Sequence, residues 1–359
     1  MLNYPTATST WGEEEKDAIN EVVKSGRFTM GEKTQEFEQK YADYIGTKYC
    51  IAVNSGSSAN LLMVAAYTIR YGSGTVIVPS IGWSTSYSPF QQYGWKLKFV
   101  DIDRQTLNYD TKKLTQAFTG TELIFGINLL GNPNDFNDFP TSEVLEDNCE
   151  SMGATYFGEK TGSFGVMGSH STYFAHHMCT MEGGMVTTSD EYFYHMLLSL
   201  RSHGWTRHLP KDNLLGAKPD KFRFIYPGYN VRPTEMQSAI GLSQLKKLPV
   251  FVKHRQNNQS DFVQYCKKRG WGYQISPFGG RSSSFGCALF SKDVEEIKHD
   301  FDKKGVEYRP IMSGDFTKSP SIKYYDFEIH GTLENTEIVD NTGIFVGNHH
   351  YPVDWSFLD

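Results

Sequence analysis

Apolar residues at helical spacing open the chain. Within residues 12–45, Ile19, Val22 and Val23 lie on one predicted helix and Phe37, Tyr41 and Tyr44 on the next. The pattern then changes to short β-branched or aromatic runs at residues 49–53, 75–78, 96–100, 123–127 and 143–145, several of them separated by helical or turn-rich segments. This alternation predicts an α/β protein with a mainly parallel sheet covered on both faces. From Ser189 a helix is predicted whose Phe193, Met196, Leu197 and Leu200 fall at i, i+3, i+4 and i+7, with Ser189 or Asp190 as its N-cap. Another follows Pro233, a residue suited to a first helical turn, with Met236, Ala239 and Ile240 on its apolar face. A long helix over residues 249–269 then bridges to a last part that mixes short strands with one helix, carrying Val294, Ile297 and Phe301 and closed by Gly305. The expected division is a large domain over residues 1–248, including the N-terminal helices, and the bridging helix with a small C-terminal α+β domain over residues 249–359.

With 359 residues and a hydrophobic fraction of 39%, the chain can bury the cores of both domains. Its formal net charge of -6, without a dense run of lysine and arginine, argues against a nucleic-acid partner and points to small molecules or a second copy of the chain. No run of about 18 apolar residues occurs, and the N-terminus lacks the basic-then-apolar pattern of a signal peptide, so a cytoplasmic protein without a membrane partner is expected. The five cysteines, Cys50, Cys149, Cys179, Cys266 and Cys287, are scattered, odd in number and in no CxxC pair, which suggests reduced thiols rather than a disulfide framework or a zinc site.

Four segments could carry chemistry. Val53-Asn54-Ser55-Gly56-Ser57-Ser58-Ala59-Asn60 joins a strand to a helix, where backbone N–H groups and the helix dipole suit a phosphate; an ordinary N-cap with a tight turn fits the residues equally well. Val144-Leu145-Glu146-Asp147-Asn148-Cys149-Glu150 puts carboxylates at a strand end, where Asp147 could hold a protonated ring nitrogen, against the alternative of a solvated acidic turn. In Ser171-Thr172-Tyr173-Phe174-Ala175-His176-His177, adjacent histidines on an extended segment would face opposite ways, which suits one base better than a shared metal. Trp83, after another apolar run, could stack on a planar ring, although a core tryptophan is the commoner explanation. Together, a phosphate cradle, a ring stacker, a ring-nitrogen acid and a base at strand ends make up the parts of a pyridoxal phosphate site.

These residues resemble the DegT-type sugar aminotransferase family, whose architecture is the fold type I of aspartate aminotransferase. The resemblance runs from about Tyr4 to about Pro352. It is carried by Ser55-Gly56-Ser57-Ser58-Ala59, Glu146-Asp147, Gly162-Ser163-Phe164-Gly165, Glu182-Gly183-Gly184, Arg201-Ser202-His203-Gly204 and Gly228-Tyr229-Asn230-Val231-Arg232-Pro233-Thr234-Glu235. It implies a large domain built on a mainly parallel seven-stranded sheet, with a small C-terminal α+β domain. One position departs from the family's aminotransferases. They carry a Schiff-base lysine six residues before Glu-Gly-Gly, and this chain has His176 there. Lys160 lies in the loop before Gly-Ser-Phe-Gly and does not replace it. The exchange is similar to that in the family's sugar 3-dehydratase branch. One member of that branch adds an iron–sulfur cluster, but such a cluster takes about four thiolates, and only Cys266 and Cys287 lie in the C-terminal half here.

The resemblance implies pyridoxal 5'-phosphate and pyridoxamine 5'-phosphate as cofactor forms, L-glutamate as amine donor and a nucleotide-linked 4-keto-6-deoxy sugar, GDP-4-keto-6-deoxymannose, as substrate. Gly56, Ser57 and Ser171 would bind the cofactor phosphate, Trp83 would stack on the ring, Asp147 would pair with its nitrogen and Glu150 would lie near its hydroxyl. Asn230 would reach the cofactor phosphate of a neighbouring subunit, which implies a homodimer with shared sites. Arg232 and Arg201 would grip a glutamate carboxylate, and Phe222, in a loop over residues 212–224, would contact the neighbouring site. His176 would move a proton from the cofactor's methylene carbon to the hydroxyl leaving sugar carbon 3. An aminotransferase using His176 as proton shuttle, and a catalytically inactive binding protein on the same fold, remain alternatives. In Met312-Ser313-Gly314-Asp315-Phe316 the branch would have Gly-Asn-Phe, and Asp315 could repel a phosphate.

Overall fold

The computed structural model describes residues 3–359. The two N-terminal helices form at Glu13–Ser25 and Glu32–Ile45 and pack against a long helix, Glu235–Arg269. The main sheet contains β1 (Tyr49–Val53), β2 (Thr75–Pro79), β3 (Lys96–Val100), β4 (Leu123–Ile127), β5 (Val144–Asp147), β6 (Met167–Ser171), β7 (Gly184–Thr188) and β8 (Phe327–Ile329). Their order is β1-β7-β6-β5-β4-β2-β3-β8, and only β7 runs against the rest. Strand ends that will carry chemistry therefore gather along one edge.

Burial explains the near-continuous apolar strands. On β2, Val76 and Val78 face a core shared with Leu62 and Met63 of the helix Gly56–Tyr71, while Ile77 faces a second core with Val100, Leu114 and Ile124. The side chains alternate across the sheet, and both faces are covered.

The fold is the mainly parallel α/β architecture expected, with two corrections of detail. The sheet has eight strands rather than seven, because Phe327–Ile329, from the C-terminal part of the chain, pairs in parallel with β3. The helices expected after Pro233 and from residue 249 are one 35-residue helix with Pro249 inside it. Pro249 cannot donate to the carbonyl of Leu245, and the loss of that bond is offset by packing on both sides: Leu242 and Leu248 join the core of the N-terminal helices, and Phe262 and Cys266 that of the small sheet. Thr234 caps this helix through the Gln237 N–H, and Asp190 caps Glu191–Leu200, which carries the expected apolar face.

The small sheet consists of Gly272–Tyr273, Gly286–Phe290, Gly343–Gly347 and Tyr308–Pro310, in that spatial order. Its helix Val294–Lys304 ends at Gly305, whose φ of 69° is the left-handed conformation that glycine adopts most readily. Cys266 and Cys287 are buried in this core. Among the described residues, no helix is long and apolar enough to cross a membrane.

Candidate active site

A cavity of about 540 Å³ opens at the carboxyl edge of the main sheet, between it and the small sheet. Ser55, Gly56 and Ser57 line it after β1, Trp83, Thr85 and Ser86 after β2, and Asp147, Cys149 and Glu150 from β5 onward. Ser171 ends β6, Tyr173 and His176 follow it, and Phe285, Arg309, Met312 and Phe345 close the cavity from the side of the small sheet. Seven of the anticipated residues thus meet in one place: Gly56, Ser57, Trp83, Asp147, Glu150, Ser171 and His176.

The anticipated phosphate cradle corresponds to the N-terminus of Gly56–Tyr71. Ser55 caps it by accepting the N–H of Ser58 at 3.0 Å, so the Ser57 hydroxyl turns instead to Thr85, 2.8 Å away. A Cβ on Gly56 would lie 2.7 Å from the Cys149 Sγ and 2.7 Å from the Ser171 Cβ, so only glycine lets the three segments converge. Trp83 is 56% exposed, which removes the core-tryptophan reading and leaves its ring on the cavity wall.

Asp147 is buried, and its carboxylate accepts Asn60 Nδ2 at 2.8 Å, Ser86 Oγ at 2.7 Å and the Cys149 N–H at 3.0 Å. These bonds hold the carboxylate still on the cavity wall, and the solvated-turn alternative falls away. Glu146, its neighbour, points elsewhere and ties the Gly162–Gly165 loop through three N–H groups. Glu150 accepts the Leu130 N–H at 2.8 Å. Burial pushes its pKa up to about 8; the Leu130 bond opposes this and the charge of Asp147 reinforces it.

His176 and His177 lie in a turn rather than on the extended segment anticipated, with the His176 N–H on the Tyr173 carbonyl at 2.9 Å. The two rings nonetheless separate. His176 lines the cavity with an unpartnered Nδ1, while His177 is fully buried with Nε2 3.1 Å from the Ser283 carbonyl. Burial, and then the charge of Arg255, lower the His176 pKa to about 4, against a smaller opposing effect of the Cys149 carbonyl. His176 is therefore a free base at neutral pH. Lys160 lies outside the cavity, its Nζ 4.6 Å from the centre of the Tyr44 ring.

The remaining anticipated residues do not join this cavity. Arg201 is a correction: it is buried, ion-paired with Glu38 and bonded to the Ala52 carbonyl at 2.8 Å, so its guanidinium is not free for a substrate carboxylate. Asn230 is exposed, Arg232 half-buried and Phe222 80% exposed, and none of the three lines the chain's own cavity. Asp315 does not line the cavity; it caps the turn Phe316–Lys318 by accepting the Thr317 N–H at 3.0 Å, and Lys318 lies 3.6 Å away. Sequence reading missed Ser86 and Thr85, Asn60 as a partner of Asp147, and the wall formed by Phe285, Arg309 and Phe345. An unpartnered base, a fixed buried carboxylate and a glycine-opened helix N-terminus suit a pyridoxal phosphate-type cofactor.

This fold and site are those of a pyridoxal phosphate-dependent sugar-modifying family: residues 9–348 match the DegT/DnrJ/EryC1/StrS aminotransferase family, to which the chain belongs. The chain is 46% identical to the GDP-4-keto-6-deoxy-D-mannose 3-dehydratase of Yersinia pseudotuberculosis, over 97% of this chain and 95% of that one. It superposes on the Escherichia coli GDP-4-keto-6-deoxy-D-mannose-3-dehydratase with bound hydrated pyridoxal phosphate at a TM-score of 0.94 and 44% identity, covering 98% of this chain and 96% of that one. A second solved structure of a GDP-4-keto-6-deoxymannose-3-dehydratase, holding a trapped pyridoxal phosphate–glutamate adduct, gives a TM-score of 0.95 at 43% identity and covers 99% of this chain and 98% of that one.

Proposed function

We propose that this chain is a pyridoxamine phosphate-dependent 3-dehydratase of a nucleotide-linked 4-keto-6-deoxy sugar, GDP-4-keto-6-deoxymannose, with L-glutamate as amine donor. One observation carries the reading: the family's lysine position is His176, a cavity-lining imidazole with a free Nδ1.

When bound, the cofactor supplies an amine for the sugar's 4-keto group and a protonated ring that stores an electron pair. Gly56, Ser57 and Ser171 hold its phosphate, Trp83 its ring face, Asp147 its ring nitrogen and Glu150 its hydroxyl. Asp147 keeps the ring-nitrogen proton in place because its own carboxylate is fixed by donors from Asn60, Ser86 and Cys149, with the Ser169 hydroxyl at 3.5 Å. His176 takes a proton at the carbon joining amine and ring, and returns it to the hydroxyl leaving sugar carbon 3 as water. A lysine there would bond to the cofactor itself; an imidazole only moves protons. Glutamate leaves as 2-oxoglutarate, nitrogen as ammonia and the sugar as a 4-keto-3,6-dideoxy product. Atoms and electrons balance without an external reductant.

The working unit in this reading is a homodimer with shared sites. It gives a role to Asn230, Arg232 and Phe222, which do not line their own chain's cavity. Burial, then Arg201, Arg207 and Arg232, lower the His208 pKa, and Arg207 lies 5.8 Å from the centre of the Trp205 ring, which neighbours the exposed Phe224, so positive charge gathers beside exposed aromatic surface. Such a patch suits the anionic groups of a neighbouring site.

Borohydride treatment of the pyridoxal phosphate-loaded protein tests the lysine-free site. The expected result is an unchanged chain mass with bound cofactor visible by absorbance; a pyridoxyl group fixed to a lysine refutes the reading.

A further inference from the structure

The ligands of the proposed reaction are anions, whereas the charged residues lining the cavity are mostly acids: Asp147, Glu150 and Glu182. Among the described residues that line it, Arg309 is the single lysine or arginine. The two arginines anticipated as carboxylate grips do not contribute here, since Arg201 is paired with Glu38 and Arg232 lies outside the cavity.

Arg309 is presented to the cavity by its strand. Tyr308–Pro310 is an edge strand of the small sheet, paired only with Gly343–Gly347, and Arg309 sits directly opposite Phe345. Directly opposed residues share a face. Phe345 lines the cavity and neighbours Phe285 at a ring separation of 6.4 Å, and Phe285 lies 5.0 Å from the His176 ring. The guanidinium thus projects from the face that covers the proposed base. It is also oriented: Nη2 donates to Glu307 Oε1 at 3.1 Å, while the other Glu307 oxygen accepts the Thr6 N–H at 2.7 Å. Among the described residues Arg309 makes this one side-chain bond, its side chain is 54% exposed, and the remaining donors of its planar fork suit a carboxylate or phosphate bidentately.

We infer that Arg309 is the chain's own anion subsite in this cavity, gripping a carboxylate of the amine donor or the diphosphate of the nucleotide sugar. The inference rests on the proposed function for the identity of those ligands, and on the cavity alone for the subsite.

Two non-reacting probes separate the sources. Glutarate carries the donor's carboxylates without its amine, and GDP carries the diphosphate without the sugar. Each is titrated calorimetrically into the pyridoxal phosphate-loaded protein and into its Arg309→Gln and Arg309→Lys variants. A charge-assisted bond of the usual strength predicts that Arg309→Gln weakens one of the two about tenfold to a hundredfold, with Arg309→Lys in between. The probe that weakens identifies the ligand. Binding of both probes within twofold of wild type in Arg309→Gln overturns the subsite, as does a wild-type protein that binds neither. A wild-type protein that binds the probes yet forms no amine cofactor from L-glutamate would instead count against the proposed function and leave the subsite standing.

Discussion

Replacing Asp147 by Asn removes one charge and almost no volume, so it isolates the electrostatic part of the proposed cofactor grip. In the free protein two effects oppose each other. The carboxylate loses three charge-assisted bonds, from Asn60, Ser86 and Cys149, while a buried charge is relieved of its desolvation cost. The apo protein should therefore melt close to wild type. With cofactor present the effects no longer cancel, because a charged hydrogen bond to the ring nitrogen, worth about 1.5–3 kcal/mol, is lost. That corresponds to pyridoxamine phosphate binding about 10- to 150-fold more weakly, and to a thermal upshift on cofactor addition that shrinks by about 1.4 kcal/mol per tenfold in Kd. Turnover should fall further than binding, since an unprotonated ring stores electrons poorly. The assay is a titration of apo protein by fluorescence, with melting curves at fixed cofactor concentrations. Cofactor affinity and turnover both within twofold of wild type would refute the role given to Asp147.

Three further perturbations bear on other parts of the site. His176→Asn should retain cofactor and substrate binding while lowering turnover about 10²- to 10⁴-fold, the usual contribution of a positioned acid–base group; a loss confined to KM would contradict it. Arg201→Met should destabilise the fold by about 3–5 kcal/mol by leaving the largely enclosed Glu38 carboxylate without its counter-charge and held by the Ala52 N–H, with the folded fraction keeping its affinity for glutamate; a stable variant with weakened glutamate binding would restore Arg201 as a ligand. Glu150 has a folded-state pKa of about 8, above the ordinary carboxylate range, so its stabilising contribution is complete at acid pH and is lost as pH rises from about 4.5 towards 8. Between pH 6 and 8.5 the wild type should accordingly lose more melting temperature than Glu150→Gln, and equal losses would refute the shift.

The parts of this site legible in the sequence are those set by local rules. Gly56 and Asp147 follow or end short apolar runs read as strands, and a strand's carboxyl end is where an α/β sheet is open; the strand that ends at Ser171, Met167–Ser171, has a single apolar side chain and carries no strand pattern of its own. His176 was legible through its distance from Glu182, a spacing carried by one continuous segment. Arg201 misled because its motif says nothing about Glu38, which meets it only through the packing of a helix 163 positions earlier in the chain. The small-sheet wall was invisible for the same reason. Phe285, Arg309 and Phe345 come together through strand pairing between distant segments, and no periodicity in any one of them marks the face turned to the cavity. The strand Phe327–Ile329 is three residues long, too short for alternation to register, and the sheet edge at β3 supplies the partner that makes it a strand. At Pro249 the local breaker signal was real but was overridden by burial on both sides of it.

The most direct test of the account is the product. Purified protein is incubated with pyridoxal phosphate and L-glutamate, then with GDP-4-keto-6-deoxymannose, and ammonia and the sugar nucleotide are quantified by mass spectrometry. The account predicts one ammonia released for each sugar that loses its carbon 3 oxygen, with His176→Asn releasing neither product at a comparable rate. An amino sugar that retains the carbon 3 oxygen, without free ammonia, would contradict it.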